Sequence, residues 1–272
     1  MFHNILVQVD PARPFDAANR YAVDLAHRFG TKLVACYVID EQLLGPVGDE
    51  AANSLDVALE WVGRDAVEDF ARLHPDLDVK KTIAYGSTPT ALFQVVLQSG
   101  ADLVVVGGYH PLAAPRVWGS VVEDIVHHAE RPVFIVRKPA RLPGPGDTIV
   151  VPFDGSERPV LNLVRITELA QRLEASIDLV HIARAKHAAR AATVLEKGAW
   201  IVKEHGVQAT THVLQASLLK NKGRIILDHA KATEASLVAI SRLGRRGMET
   251  GRSRTVGWLA AHSGIPVWVV RK

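Results

Sequence analysis

A few aspartates, two glycine-bearing segments and one run of arginines are the parts of this 272-residue chain that could do chemistry. Asp10 and Asp154 each close a short apolar run, Asn4-Ile-Leu-Val-Gln-Val-Asp10 and Thr148-Ile-Val-Val-Pro-Phe-Asp154. A carboxylate at the carboxyl end of a strand can take ribose hydroxyls or help hold a divalent cation. It can equally cap a turn or a following helix, and both readings stand at each position. Gly107-Gly-Tyr-His110 follows another apolar run, and Gly119-Ser120 then opens a helical stretch, residues 121–128. A Gly-Ser pair at a helix start offers unpaired N–H groups and a hydroxyl to a phosphate. Arg242, Arg245, Arg246, Arg252 and Arg254 read either as a solvated loop or as an anion contact. The histidines are scattered, and His127 and His128, adjacent on a helix, point in different directions. No H-E-x-x-H or similar ligand spacing appears, so no metal site is expected.

These residues need elements to position them. Continuous apolar runs at residues 3–9, 32–39, 78–84, 103–106 and 133–136 read as strands covered on both faces. Between the first two, Phe15, Ala18, Ala22, Leu25, Ala26 and Phe29 recur at helical spacing, with Gly30 as the stop. Leu163, Ile166, Ala170 and Leu173 repeat that pattern later, and longer helices are expected near residues 55–73 and 188–204. Alternation of this kind predicts parallel sheets with helices on both faces. Trp61, Trp200, Trp258 and Trp268 are assigned to apolar core stripes, and Cys36 to a buried position in mid-strand.

The chain reads as one unit twice. Ala101-Asp-Leu-Val-Val-Val-Gly107 resembles Ala235-Ser-Leu-Val-Ala-Ile-Ser241, and Arg131-Pro-Val-Phe-Ile-Val-Arg-Lys138 resembles Ile265-Pro-Val-Trp-Val-Val-Arg-Lys272. With the two Asp-terminated runs, that makes three matches in the same order. The first copy carries about ten extra residues, placed in the polar stretch 40–53. Between the copies, three prolines and two glycines in residues 138–147 exclude a helix or central strand. The expected organisation is a first domain at 1–138, a linker at 139–147 and a second domain at 148–272.

Composition narrows the classes. Hydrophobic residues are 48% and charged residues 22%, which is globular. A net charge of +3 is too mild for a dedicated nucleic-acid binder. No apolar stretch is long enough to span a membrane, and a single cysteine excludes an intramolecular disulfide. A cytoplasmic protein is expected.

The ordered motifs resemble the universal stress protein family, twice over. The resemblance is carried by Ile5-Leu-Val-Gln-Val-Asp10, Asp154-Gly155-Ser156, Asp102-Leu-Val-Val-Val-Gly107, Gly119-Ser-Val-Val-Glu-Asp-Ile-Val126 and the two Pro-Val strands that end the copies. It implies two doubly wound α/β domains, each a five-stranded, mostly parallel sheet of the adenine-nucleotide α-hydrolase kind. It also implies a regulator acting through pairing of its two domains, a homodimer, or an unidentified protein or small-molecule partner. Some relatives bind ATP with Mg through Gly, two residues, Gly, nine residues and Gly-Ser/Thr, together with the first-strand Asp, and hydrolyse it weakly at most.

This sequence departs from that pattern. Gly107 matches the first glycine, but His110 stands at the second, and eight residues rather than nine lead to Gly119-Ser120. In the second copy Ser241 replaces the first glycine, Gly244 keeps the second, and Ser253-Arg254 replaces the closing pair. Arg245 and Arg254 remain as side-chain substitutes for the lost amides. The resemblance therefore implies a damaged phosphate cradle in both copies, less so in the first, and no catalytic set. An enzyme of a related fold would need a pyrophosphate loop of the Ser-Gly-Gly-x-Asp-Ser type, which is absent from the sequence.

Overall fold

The structure is a computed structural model that describes residues 1–11, 16–40, 49–107, 125, 131–217, 221–241 and 254–271. Contacts divide the chain into two compact units, Phe2–Ala129 and Glu130–Lys272, with Met1 counted in the second.

The first unit contains β1 (Asn4–Gln8), α1 (Ala17–Phe29), β2 (Lys32–Ile39), α2 (Asp49–Leu73), β3 (Val79–Tyr85), α3 (Thr88–Ser99) and β4 (Leu103–Gly107). Its strands lie in the order β3-β2-β1-β4 and are parallel. Consecutive residues of β1, β2 and β4 are buried, so both faces of these strands are covered. Asp16 starts α1 by accepting the Asn19 N–H at 2.7 Å, and Gly30 ends it at φ +63°.

The second unit contains β5 (Val133–Val136), β6 (Thr148–Pro152), α4 (Glu157–Leu173), β7 (Ser176–Ala183), α5 (Ala188–Glu204), β8 (Ala209–Gln215), α6 (Lys222–Ala232), β9 (Leu237–Ser241), α7 (Arg254–His262) and β10 (Val267–Val270). The order is β5-β10-β9-β6-β7-β8. All of its pairs are parallel except β5 on β10, the last strands of the two copies, which run antiparallel with Phe134 opposite Trp268. Those two rings stack with centroids 5.3 Å apart.

The repeat of the sequence is thus a repeat of elements. The boundary of the compact units falls at 129/130, ahead of β5, whereas the proline-rich segment lies at 139–147. That segment is pinned by a turn in which Arg141 donates to both oxygens of Asp147 and the Gly144 N–H donates to Oδ2 at 2.7 Å. The extra length of the first copy lies partly in the helix itself, because α2 has 25 residues and α5 has 17.

Trp268 is fully buried, as expected, and Cys36 is a buried free thiol whose pKa burial pushes up to about 12. Trp61 and Trp200 are not core: both are mainly exposed. Each sits on the outer side of a long helix whose sheet-facing side is already filled, by Val67 and Phe70 on α2 and by Leu195 and Val202 on α5.

Candidate functional site

In a doubly wound sheet the crevice opens where the strand order reverses, outside the carboxyl ends of two neighbouring strands. Here the reversal lies between β1 and β4 in the first copy and between β6 and β9 in the second. Asp10 and Gly107 flank the first crevice, and Asp154 and Ser241 flank the second.

In the first copy, Gly107 ends β4 with its Cα packed against α1. A Cβ there would lie 2.9 Å from Asp16 Oδ2 and 3.6 Å from the Ala18 methyl. Only a glycine lets the strand end approach the helix start so closely. Asp10 lies near Tyr37, whose phenol pKa is raised by burial first and by the Asp10 charge second. The Tyr37 ring has room only because Gly63 of α2 carries no side chain, since a Cβ there would meet the ring at 2.2 Å. Asp40, just past β2, accepts the Thr88 N–H at 3.4 Å and its hydroxyl at 3.3 Å. Three carboxylates, Asp10, Asp16 and Asp40, therefore stand at this end of the sheet, an environment that suits sugar hydroxyls or a cation better than bare phosphate. Asn19, one residue beyond Ala18, is buried with both amide atoms unpaired.

The second copy resolves the same positions differently. Asp154 Oδ1 accepts the Ser156 N–H at 3.0 Å and the Ser156 hydroxyl at 2.6 Å, so Asp154-Gly155-Ser156 forms a side-chain turn leading into α4. Gly155 has φ +71°, and a Cβ on it would lie 2.7 Å from Val194 Cγ1. Ser241 Oγ accepts from Asn162 Nδ2 at 2.7 Å, and the same amide reaches the Val270 carbonyl at 3.3 Å. Asn162 lies eight residues after Asp154, as Ala18 lies eight after Asp10. Where the first copy has Ala18 and Gly107, the second has a hydrogen-bonded Asn–Ser pair.

His110, Gly119, Ser120, Gly244, Arg245 and Ser253 lie outside the described residues, as do His127 and His128. Arg254 begins α7, with its side chain outside the description. The structure also gathers residues that the sequence left scattered: Asp178 of β7, His212 of β8 and His229 of α6 offer ligand atoms within 4.8 Å of one another. Their separations of 34 and 17 residues match no local motif. The one signal was a carboxylate inside the apolar run Ile177-Asp-Leu-Val180.

Among the described residues no helix is long and apolar enough to cross a membrane. The family model described as the Universal stress protein family matches residues 1–137. A universal stress protein of Methanocaldococcus jannaschii is 23% identical over 145 residues, covering 52% of this chain and 85% of that protein. Among solved structures, a universal stress protein from Archaeoglobus fulgidus DSM 4304 superposes with a TM-score of 0.75 at 16% identity, over 99% of this chain and 96% of that one. A protein of unknown function from Pseudomonas aeruginosa PAO1 superposes with a TM-score of 0.67 at 17% identity, over 99% and 92%. The fold likeness therefore spans both copies, while the family match covers the first.

Proposed function

Because the chain belongs to the universal stress protein family, we propose that it is a non-enzymatic stress-response regulator in which only the first copy keeps a usable adenine-nucleotide site. The observation that carries this reading is the contrast at the strand-order reversal. Gly107 and Ala18 leave the first crevice lined by small groups, whereas Ser241 and Asn162 occupy the second with a 2.7 Å hydrogen bond. In the first crevice Asp10 would take ribose hydroxyls or help hold Mg, and the phosphates would fall to the segment after Gly107, with Gly119 and Ser120. In the second, Asp154 is engaged by Ser156, so any anion contact there would rest on Arg245 and Arg254. The role is non-enzymatic because the sequence offers no paired acid and base: of Asp10, Asp154 and His110, Asp154 is already engaged by Ser156. The output then runs through pairing of the copies, homodimerisation and an unidentified partner, in the cytoplasm.

Calorimetric titration with Mg-ATP tests the site. Micromolar binding lost in Asp10→Ala or Ser120→Ala, and kept in Asn162→Ala, supports the first copy. No binding near millimolar Mg-ATP sinks the nucleotide reading, and loss only in Arg245 or Arg254 variants moves the site to the second copy. Steady ATP turnover would overturn the non-enzymatic role. Light scattering reads the homodimer directly.

A further inference from the structure

The His–Asp–His cluster of the second copy lies away from that copy's crevice, toward the amino end of β7. Asp178 is on β7, its side chain 2% exposed, and its Cα partner on the edge strand β8 is Thr210. His212 Nδ1 lies 2.8 Å from Asp178 Oδ1, and His229 Nε2 lies 2.6 Å from Oδ2. The Thr210 hydroxyl donates to Oδ1 at 3.0 Å. The two imidazoles lie side by side, centroids 5.0 Å apart and tilted by 53°.

Repeat symmetry shows that this fold does not require the cluster. β2 and β7 each have eight residues, and Asp178 falls where the first copy has Val34. β3 and β8 each have seven, and His212 falls at Thr82. His229 lies eight residues before Leu237, as Val95 lies eight before Leu103. Val34 and Val95 are both buried. The second copy has thus replaced two apolar packing groups by a carboxylate and an imidazole beneath α6. Burying such groups costs stability unless they are well paired, and an apolar set of similar size usually does as well or better.

We infer that Asp178, His212 and His229 form a binding site for a divalent first-row transition ion, with zinc the best match. Two imidazole nitrogens and one carboxylate oxygen are borderline donors that suit Zn²⁺ rather than Mg²⁺ or Ca²⁺, which prefer all-oxygen sets. Tetrahedral ligands about 2.0–2.1 Å from zinc stand roughly 3.3 Å apart. The two imidazole nitrogens now contact different oxygens of Asp178, at 2.8 and 2.6 Å, and the three ligand atoms lie within 4.8 Å of one another, so binding opens the short contacts and draws the wider pair together. Two side chains on separate elements, a strand and a helix, can make that movement by small χ rotations. On binding, each histidine presents its bare ring nitrogen to the ion and carries its proton on the other. Thr210 is the outer partner that orients the carboxylate. His212 is 49% exposed and His229 14%, so the fourth ligand position faces water. A bound ion would clamp the edge strand β8 and helix α6 to β7.

The test uses the full chain stripped with EDTA, with Co²⁺ as a visible probe and Zn²⁺ as its competitor. One equivalent of Co²⁺ per chain is expected to give d–d bands, displaced by Zn²⁺, with a rise in melting temperature on Zn²⁺ addition. His212→Ala, at a half-exposed position that folding tolerates, and His229→Gln should each weaken binding by at least about tenfold, and Thr210→Val by about tenfold. Absence of Co²⁺ bands near millimolar ion overturns the site. So does a signal that survives unchanged in both histidine variants, since it would then belong to other histidines.

Discussion

The two copies occupy the same scaffold and fill the same positions by opposite chemistry. At the strand-order reversal the first copy places Ala18 against Gly107, and the second places Asn162 on Ser241. At the helix that leads into the fourth strand, α3 in the first copy and α6 in the second, the first copy packs Val34 and Val95, and the second buries Asp178 with His229. At the α1 position the preference reverses: buried Asn19 of the first copy aligns with fully buried Leu163 of the second. The scaffold tolerates either solution because what it demands is a filled volume, not a residue type.

The largest effect expected from breaking this comparison is at Asp178. Asp178→Ala leaves two imidazoles and a hydroxyl without their acceptor, and should cost about 3 kcal/mol in urea unfolding of the metal-free protein. Installing the first copy's residues together, Asp178→Val with His229→Val, should recover to within about 1 kcal/mol of the parent or exceed it. A double variant as weak as the single one would show that the two copies pack differently here. Next is Gly155→Ala, which forces a side chain into φ +71° and against Val194 and should cost about 2 kcal/mol. Asn162→Ala removes the tie to Ser241 and the Val270 carbonyl, and a loss of about 1.5 kcal/mol is expected by the same assay. In the other direction, Asn19→Leu should stabilise by about 1 kcal/mol, read as a higher melting temperature, because it removes two unpaired buried amide atoms. The smallest effect is chemical: with its thiol pushed up to about 12, Cys36 should not react with a disulfide reagent until the protein unfolds.

Much of the architecture was legible in the chain. Apolar runs located the first copy's strands to within one or two residues, and 188–204 was bounded as a helix at both ends. Gly30 marked a helix end because a left-handed residue was needed there. Glu174 takes the same conformation at φ 58° without being glycine, so the signal was absent from the second copy. Trp61 and Trp200 misled for a simple reason: an apolar residue on a helix says nothing about which side meets the sheet when neighbouring positions can fill it instead. At the candidate site, Asp10, Asp154, Gly107 and Ser241 were legible because they end apolar runs. Their partners were not, since Asn162 reaches Ser241 across 79 residues.

The sequence by itself determined the repeat, the alternation of strands and helices and which strand ends carry polar groups, because periodicity and chain punctuation are local properties. Only the tertiary structure decided which polar groups meet. Parallel strands set Asp178 opposite Thr210 and brought His212 and His229 onto one carboxylate from 34 and 51 residues away. Such meetings arise from strand register and from helices crossing over the sheet, and neither leaves a trace in local spacing.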